Sequence, residues 1–151
     1  MIDNTDIKIL RLLQENAHLT FKEISQKINL SVTPVHDRIK RMERDGVIEK
    51  YITLINKNVV NANLTIFCNI TLDKQTKFNF SDFEESILKF PEIVECNVVS
   101  GGYDYLLKVV SKDMETYNTF YQHKLSVLPT VAHIHSVFVM AEIKKTTLLP
   151  I

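Results

Sequence analysis

The stretch from residue 31 to residue 44 concentrates groups that bind anions and form hydrogen bonds. Four cationic side chains lie within seven residues, with one carboxylate among them; they are Arg38, Lys40, Arg41 and Arg44. Hydroxyl and imidazole groups come just before, at Ser31, Thr33 and His36. Guanidinium and ammonium groups bind phosphate, and the neutral polar groups can contact base edges. The chemistry indicated is contact with a phosphate-bearing polymer.

An amphipathic helix is predicted to position these groups. Its apolar residues recur at intervals of four and three, which places them on one face; they are Val35, Ile39 and Met42. The hydroxyl of Ser31 or Thr33 is expected to cap this helix. Pro34 suits its first turn, and Gly46 ends it. The cations then occupy the remaining surface, with Arg38 at the edge of the apolar face.

Two shorter helices precede this one. The first is predicted to begin after a cap at Thr5. The second has a capping-box spacing that begins at Thr20, and Asn29 suits the left-handed turn after it. Together the three helices form a unit of the helix-turn-helix kind. Its exposed last helix can enter the major groove of double-stranded DNA, while Lys27 and the later cations contact phosphate.

A solvated helix face is the alternative explanation of these charges. Ion pairs four residues apart, such as Asp37 with Arg41, are common on exposed helices that bind nothing. The short turn before the helix and its exposed face favour the DNA hypothesis, because docking in a groove requires both.

Bulk composition excludes several classes of protein. The chain has 18 Lys and Arg and 18 Asp and Glu in 151 residues, so a phosphate-binding surface must come from local arrangement. No apolar run reaches the roughly 20 residues that span a bilayer, and no signal peptide is evident, so we expect a cytoplasmic protein. Cys68 and Cys96 lie far apart in apolar stretches, which argues against a disulfide or a metal site.

The second half of the chain alternates strand and helix patterns. A strand over 47–56 and an asparagine-rich linker precede a strand at 64–72, where every second residue is apolar. A helix, two strands, a helix and a last strand over 131–143 follow, which is the ferredoxin-like βαββαβ order. The predicted fold class is therefore α+β, with a winged-type helix-turn-helix domain at 1–50, a strand and linker at 51–63, and a ferredoxin-like domain at 64–151.

The sequence SGGYD in this second domain is a second candidate site; its residues are Ser100, Gly101, Gly102, Tyr103 and Asp104. Unobstructed backbone amides can bind a carboxylate, and Asp104 can pair with an ammonium group, which together suit an amino acid. The alternative is a two-residue hairpin turn at the glycines, both with positive φ, and no ligand.

His133 and His135 lie on one face of the predicted last strand, as the ligands of a metal ion can. No third ligand is evident, so a surface or interface position is favoured, and we expect no metal and no cofactor. Catalysis is disfavoured as well, because the sequence shows no nucleophile with a base and no phosphate-binding glycine loop.

Over nearly its whole length the sequence resembles the Lrp/AsnC family of leucine- and asparagine-responsive regulators. The resemblance lies in four stretches that occur in the family's order: DIKILRLLQENAHLTFKEISQKINLS, TPVHDRIKRMERDGVIEKY, EIVECNVVSGGYDYLLKV and LPTVAHIHSVFVM. It implies an N-terminal DNA-binding domain, a C-terminal domain that assembles dimers and often octamers, and control by amino acids. Asn29 stands where a glycine is more usual, and asparagine tolerates the left-handed conformation required there.

The resemblance also implies an effector pocket between subunits. The loop at 100–104 would form one wall of this pocket, and the last strand another, at Ile134 and Ser136. Relatives often carry hydroxyls at both strand positions, and some have an acidic residue at the position of Gly102. These departures favour an effector with an apolar side chain.

The resulting hypothesis is a DNA-binding transcription regulator that forms a homodimer or a larger oligomer and responds to a small effector, with an amino acid favoured. One face of the predicted sheet, including Phe67 and Val99, is left for a second copy to cover. The alternatives are an enzyme on a ferredoxin-like fold and a protein-binding assembly module with no role on DNA.

Overall fold

The computed structural model describes residues 1–151 as two compact units. The helical unit comprises Met1–Leu54 and Ile143–Ile151, and the sheet unit comprises Ile55–Glu142. The last nine residues therefore belong with the first 54 rather than with the sheet. None of the helices has the combined length and hydrophobicity of a membrane-spanning segment.

Three helices form the helical unit, as predicted: α1 at Asn4–Glu15, α2 at Phe21–Ile28 and α3 at Val32–Arg44. Their apolar faces meet in one small core, whose fully buried members are Ile9, Ile24, Val35, Ile39 and Met42. Three of these five come from α3, so the predicted inward face of that helix is confirmed. The opposite face of α3 is left to solvent.

The ends of the helices are set by local hydrogen bonds. The prediction of a cap at Thr5 is wrong: Asp3 caps α1, and its carboxylate accepts hydrogen bonds from the amides of Thr5 and Asp6. The carboxylate of Asp6 in turn accepts a hydrogen bond from the amide of Asp3, which completes a capping box. The capping box at Thr20 and Glu23 is confirmed for α2.

The turn into α3 also follows the prediction. Asn29 has a left-handed backbone at φ 55°, which reverses the chain after α2. Ser31 is the N-cap of α3, although its side chain makes no capping hydrogen bond. Gly46 has φ 72° and lies just beyond the end of the helix.

The strand predicted over 47–56 is wrong, since this segment forms no strand ladder; the amides of Val47 and Ile48 donate instead to the carbonyl of Met42. A strand needs a neighbour for its backbone N–H and C=O groups, and no other segment of the helical unit provides one. Tyr51, Ile52 and Leu54 are consequently half-exposed or more.

The C-terminal tail, residues 143–151, lies along α1. The side-chain amide of Gln14 accepts from the amide of Leu149 (2.6 Å) and donates to its carbonyl (3.3 Å). Arg11 Nε donates to the carbonyl of Ile151 (2.6 Å). Both backbone groups of Leu149 are thereby bound by one side chain of the first helix.

The sheet unit contains the predicted βαββαβ order. Its elements are β1 at Leu64–Leu72, α4 at Lys77–Ile87, β2 at Ile93–Val98, β3 at Tyr105–Ser111, α5 at Met114–Phe120 with a π-helical turn at Tyr121–Leu125, and β4 at Val131–Phe138. The four strands are antiparallel in the order β2-β3-β1-β4. This order makes β1 and β3 the central strands.

The core of the sheet unit lies between the sheet and its helices. Alternate residues of β1, including Ile66, Cys68 and Ile70, are fully buried there. Phe83 of α4 and Leu125 of the π-helical turn are buried against them. The opposite face of the sheet has no covering layer, and Phe67 of β1 is only half-buried on it.

Two connections differ from the prediction. Residues 99–104, six in all rather than two, join β2 to β3, and of the two glycines only Gly101 has a positive φ, 133°. The last strand ends at Phe138 rather than at residue 143, although residues 139–142 still belong to the sheet unit.

Candidate functional site

The exposed surface of α3 carries most of the predicted DNA-binding side chains. Five of them are exposed: Ser31, Thr33, His36, Lys40 and Arg44. Lys27, on α2, is exposed as well. On α3 these exposed polar side chains lie outside the buried apolar face that Val35, Ile39 and Met42 form.

Arg38 and Arg41 are oriented differently, toward α1. Arg38 Nη1 donates to Asp6 Oδ1 (2.8 Å) and to Asp3 Oδ2 (2.6 Å). Arg41 Nη2 donates to Asp6 Oδ2 (2.5 Å). The Asp6 side chain is completely buried, whereas the side chains of Arg38 and Arg41 are 27% and 39% exposed. Two arginines of α3 thus share one buried carboxylate of α1.

The protonation state of Asp6 follows from these contacts. Burial alone would raise the pKa of this carboxyl group, but hydrogen bonds from the Asp3 amide and from Arg38 outweigh burial and lower the pKa. Hydrogen bonds, first from the Asp6 amide and then from Arg38, lower the pKa of Asp3 as well. Both carboxyl groups are therefore ionised at neutral pH, and the cluster of two acids and two arginines is electrically balanced.

Every other cation of α3 also has an acidic neighbour. Lys40 Nζ donates to Glu43 Oε2 (2.7 Å), and Arg44 Nε donates to Asp45 Oδ1 (3.0 Å). The hydrogen bond from Lys40, followed by one from Tyr51, lowers the pKa of Glu43. These pairs are exposed and weak individually, so a phosphate group can replace the acid.

The suggested pairing of Asp37 with Arg41 does not occur. Asp37 Oδ1 instead lies 3.0 Å from His36 Nδ1. The imidazole of His36 packs edge-on against the ring of Phe21 in α2, with 5.1 Å between ring centroids. His36 is thus held at the surface by both neighbours.

In the loop at 100–104 the predicted anion-binding groups are free. The amides of Ser100, Gly101 and Gly102 donate no hydrogen bond within the chain. A side chain built on Gly101 or Gly102 would meet nothing within 4 Å, so a ligand can approach this backbone. The loop is held at its base, where the amide of Val99 donates to the carbonyl of Asp104 (3.0 Å).

Asp104 already has partners within the chain. Its carboxylate accepts hydrogen bonds from the amide of Leu72 (2.8 Å) and from the side chain of Gln75 (2.9 Å). The side chain is almost fully buried, and the amide of Asp104 donates to the carbonyl of Ile70 (2.8 Å). Asp104 therefore fastens the loop to the end of β1.

Ile134 and Ser136 lie on the helix-facing side of β4. Ile134 packs against the core of the sheet unit, and Ser136 shares a 2.6 Å hydrogen bond with the phenol of Tyr117. This pair borders a cavity of about 520 Å³, lined by Met114, Glu115, Tyr117, Asn118, Tyr121, Ser136 and Phe138. Residues 100–104 do not line it, so one chain does not join the two predicted walls of the effector pocket.

Tyr103 is instead close to the opposite face of β4. Its ring is stacked on the imidazole of His135, with 6.3 Å between centroids and 17° between planes. His133 is exposed on the same strand, two residues earlier. No group of three or more His, Cys, Asp or Glu side chains is arranged to hold a metal ion.

Sequence reasoning missed two residues of these sites. Asp6 was not identified, although the spacing Asp3 to Asp6 matches an N-terminal capping box and marks both carboxylates as structured. Tyr117, whose helical spacing indicates only a core or interface position, also shares a hydrogen bond with Ser136 at the wall of the cavity. No local pattern reveals the partner of Tyr117, because Ser136 lies 19 residues away.

Two protein-family models match this chain, one over the helical unit and one over the sheet unit. Residues 2–49 match the winged helix-turn-helix DNA-binding model. Residues 65–149 match the Lrp/AsnC ligand-binding domain. The first match contains all three helices of the helical unit, and the second contains the four-stranded sheet except Leu64, the first residue of β1.

Whole-chain relatives agree with both matches. The leucine-responsive regulatory protein of Escherichia coli is 37% identical over 150 residues, which cover 99% of this chain and 92% of the relative. The Bkd operon transcriptional regulator of Pseudomonas aeruginosa is 33% identical over 142 residues, covering 94% and 93%.

Solved structures resemble the chain over the same length. A Neisseria meningitidis transcriptional regulator in complex with L-Met has a TM-score of 0.95 and 37% identity, covering 99% of this chain and 97% of that one. An AsnC family regulator from Agrobacterium tumefaciens has a TM-score of 0.94 and 38% identity, with the same coverage.

Proposed function

The chain belongs to the Lrp/AsnC family of DNA-binding transcription regulators, and from this premise we propose that α3 is its recognition helix. The observation that carries the proposal is the exposed row of polar side chains opposite the buried face of α3. Residues at the start of a recognition helix contact base edges, and cations further along contact phosphate. Thr33 and His36 are thus assigned to bases, and Lys40 and Arg44 to phosphates. Ser31 and Lys27 complete the surface.

A pair of substitutions separates base contact from phosphate contact. The probes are a duplex selected in vitro from a random-sequence library with the wild-type protein, and a scrambled duplex of equal length and composition. Thr33→Ala should weaken binding to the selected duplex and leave the scrambled one nearly unchanged. Lys40→Ala should weaken both and lower the salt slope by about one per bound helix.

Lys89→Ala is the matched control, since Lys89 is an exposed cation of the sheet unit with no ion pair. It should leave both affinities unchanged. Equal binding by wild type, Thr33→Ala and Lys40→Ala would assign the DNA contact to another surface. Failure of the wild-type protein to enrich any sequence would favour the assembly module without a DNA role.

We propose in addition that an amino acid with an apolar side chain is the effector. The free amides of residues 100–102 suit its carboxylate. The cavity beside Ser136 offers methyl, aromatic and hydroxyl groups to the rest of the molecule. Since these two surfaces do not meet within one chain, the complete pocket requires a second subunit, and Tyr103 and Asp104 shape the loop on one side.

L-Met is the first ligand to test, because a related regulator was solved in complex with it. Titration calorimetry with each of the twenty amino acids should give heat with L-Met or another apolar one. Ser136→Ala should weaken that binding, and Ser86→Ala on α4 is the control, being a serine remote from the cavity lining. An unchanged titration with Ser136→Ala would remove β4 from the pocket.

The proposed assembly is a homodimer formed through the open face of the sheet. A dimer places two recognition helices on one duplex, at half-sites spaced by about one helical turn or a multiple of it. We propose further that the subunit contacts that complete the effector pocket join these dimers into octamers. Action on chromosomal DNA corresponds to a cytoplasmic protein and to regulation rather than catalysis.

A further inference from the structure

We propose that Asp6 is a positioning residue for DNA recognition: it holds Arg38 and Arg41 of α3 in one orientation, so that sequence-specific binding depends on a carboxylate that never touches DNA. The proposal rests on the proposed use of α3 as the recognition helix. Its structural basis is the fully buried Asp6 side chain, with one oxygen on each arginine.

The geometry leaves both arginines able to act on a ligand. Each guanidinium group carries five N–H donors, and the contacts with Asp6 and Asp3 use one nitrogen atom of each arginine. The remaining nitrogens of Arg38 and Arg41 belong to side chains that are about one-quarter and two-fifths exposed. One edge of each guanidinium is fixed, and the other can reach a phosphate or a base.

Fixing these side chains before binding favours the specific complex. A free arginine loses rotamer freedom when it binds, and Asp6 has already imposed that loss in the unbound protein. Specific contacts require defined donor directions, whereas non-specific binding needs only positive charge near the phosphates. Asp6 should therefore increase the ratio of specific to non-specific affinity.

A purely electrostatic role of Asp6 has a different consequence for DNA binding than a positioning role, and this difference makes the proposal testable. The cluster of Asp3, Asp6, Arg38 and Arg41 is balanced, so neutralising Asp6 leaves an excess of one positive charge per subunit. That charge attracts any duplex. A purely electrostatic role of Asp6 thus predicts tighter binding to all DNA when its charge is removed.

The test compares Asp6→Asn with wild type on the selected duplex and on the scrambled duplex, over a range of salt concentrations. We expect the specificity ratio to fall at least about fivefold, as expected when two arginines must be ordered during binding. Affinity for the scrambled duplex should be equal or higher, with a steeper salt dependence. A merely structural role would lower the active fraction in a stoichiometric titration without changing this ratio.

Glu15→Gln is the matched control, because it removes one negative charge from α1 at an exposed residue whose side chain makes no hydrogen bond or ion pair. The ratio of specific to non-specific affinity should be the same for Glu15→Gln as for wild type. Asp3→Asn serves if Asp6→Asn does not fold: asparagine also caps helices well, so α1 keeps its cap while Arg38 loses one of its two carboxylates. Asp3→Asn should lower the ratio of specific to non-specific affinity by a smaller factor than Asp6→Asn.

The outcomes are distinct. An unchanged ratio in Asp6→Asn and Asp3→Asn, with wild type still discriminating, overturns the positioning role and leaves the proposed recognition helix in place. Lack of discrimination by wild type overturns both proposals. An equal fall with Glu15→Gln assigns the effect to overall charge and overturns the role of Asp6.

Discussion

The backbone amide of Leu72, the last residue of β1, donates a 2.8 Å hydrogen bond to the carboxylate of Asp104, which lies 32 residues further along the chain. This contact joins the end of one central strand to the loop that precedes the other. A residue that resembles a ligand-binding acid thus has a structural role, and any use of Asp104 on a ligand must coexist with it.

Replacing Asp104 should therefore destabilise the sheet unit. Asp104→Ala leaves the buried amide of Leu72 without an acceptor, which costs about 1–3 kcal/mol. Gln75→Ala, which removes the other partner of Asp104 but leaves Leu72 paired, should cost less. Urea unfolding followed by circular dichroism measures both, and equal costs would contradict the account.

The two adjacent glycines of the loop should respond differently to alanine. Gly101 has φ 133°, a conformation that alanine rarely adopts, whereas Gly102 has no positive φ, and both have open space around them. Gly101→Ala should cost about 1 kcal/mol or more, and Gly102→Ala should be neutral or slightly stabilising. Thermal unfolding of the two variants makes the comparison, and a larger cost at Gly102 would be inconsistent with this loop conformation.

Acid should weaken the helical unit. Hydrogen bonds lower the pKa of Asp6 in the folded chain, so its contribution is complete above the unfolded value near 4 and is lost as pH falls through the folded pKa. The protection factors of amides in α1 and α3 against hydrogen exchange should fall below about pH 4. Asp6→Asn should be destabilised by about 1–3 kcal/mol at pH 7 and should show a weaker acid dependence. Parallel acid profiles for the two proteins would count against this role of Asp6.

Deleting the tail should destabilise the helical unit. A chain ending at Glu142 loses the three hydrogen bonds from residues 149 and 151 to α1, a loss of about 1–3 kcal/mol. Gln14→Ala should cost about half as much in the full chain and almost nothing in the truncated one. A full cost of Gln14→Ala without the tail would show that Gln14 stabilises α1 in another way.

Dimerisation should depend on the open face of the sheet. Phe67 is half-buried there, and Phe67→Lys places a charge in the proposed interface, which should weaken the dimer at least about tenfold. Leu88→Lys, at an exposed site beyond α4, is the control. Sedimentation velocity over a concentration series gives the dissociation constants, and equal values would move the interface elsewhere.

Periodic patterns predicted the elements that bury one face. The spacing of Val35, Ile39 and Met42 identified the inner face of α3, and the alternation in β1 identified its buried side, because burial imposes these periods directly. The segment 47–56 has the same composition as a strand, yet it forms none in the chain. The alternation of apolar residues shows that the segment could form a strand. A strand forms only if a neighbouring strand accepts and donates its backbone hydrogen bonds.

Contacts between side chains that are distant in the sequence could not be predicted from these patterns. From their angles on the helix, Arg38 was predicted at the edge of the apolar face and Arg41 on the outer surface. Their long side chains both turn toward Asp6, 32 and 35 residues away. The partners of Asp104 and the course of the tail were missed for the same reason. Each depends on which segments the folded chain brings together, and no local spacing encodes that.

The tail on α1 bears on the synthesis of the protein. Residues 143–151 emerge from the ribosome only after all of residues 55–142. The helix α1 therefore lacks its hydrogen bonds to the tail until the entire sheet unit has been synthesised. At ordinary translation rates this delay is on the order of ten seconds. During that interval the nascent chain holds α1 to α3 without the tail, and the sheet unit is complete before the helical unit.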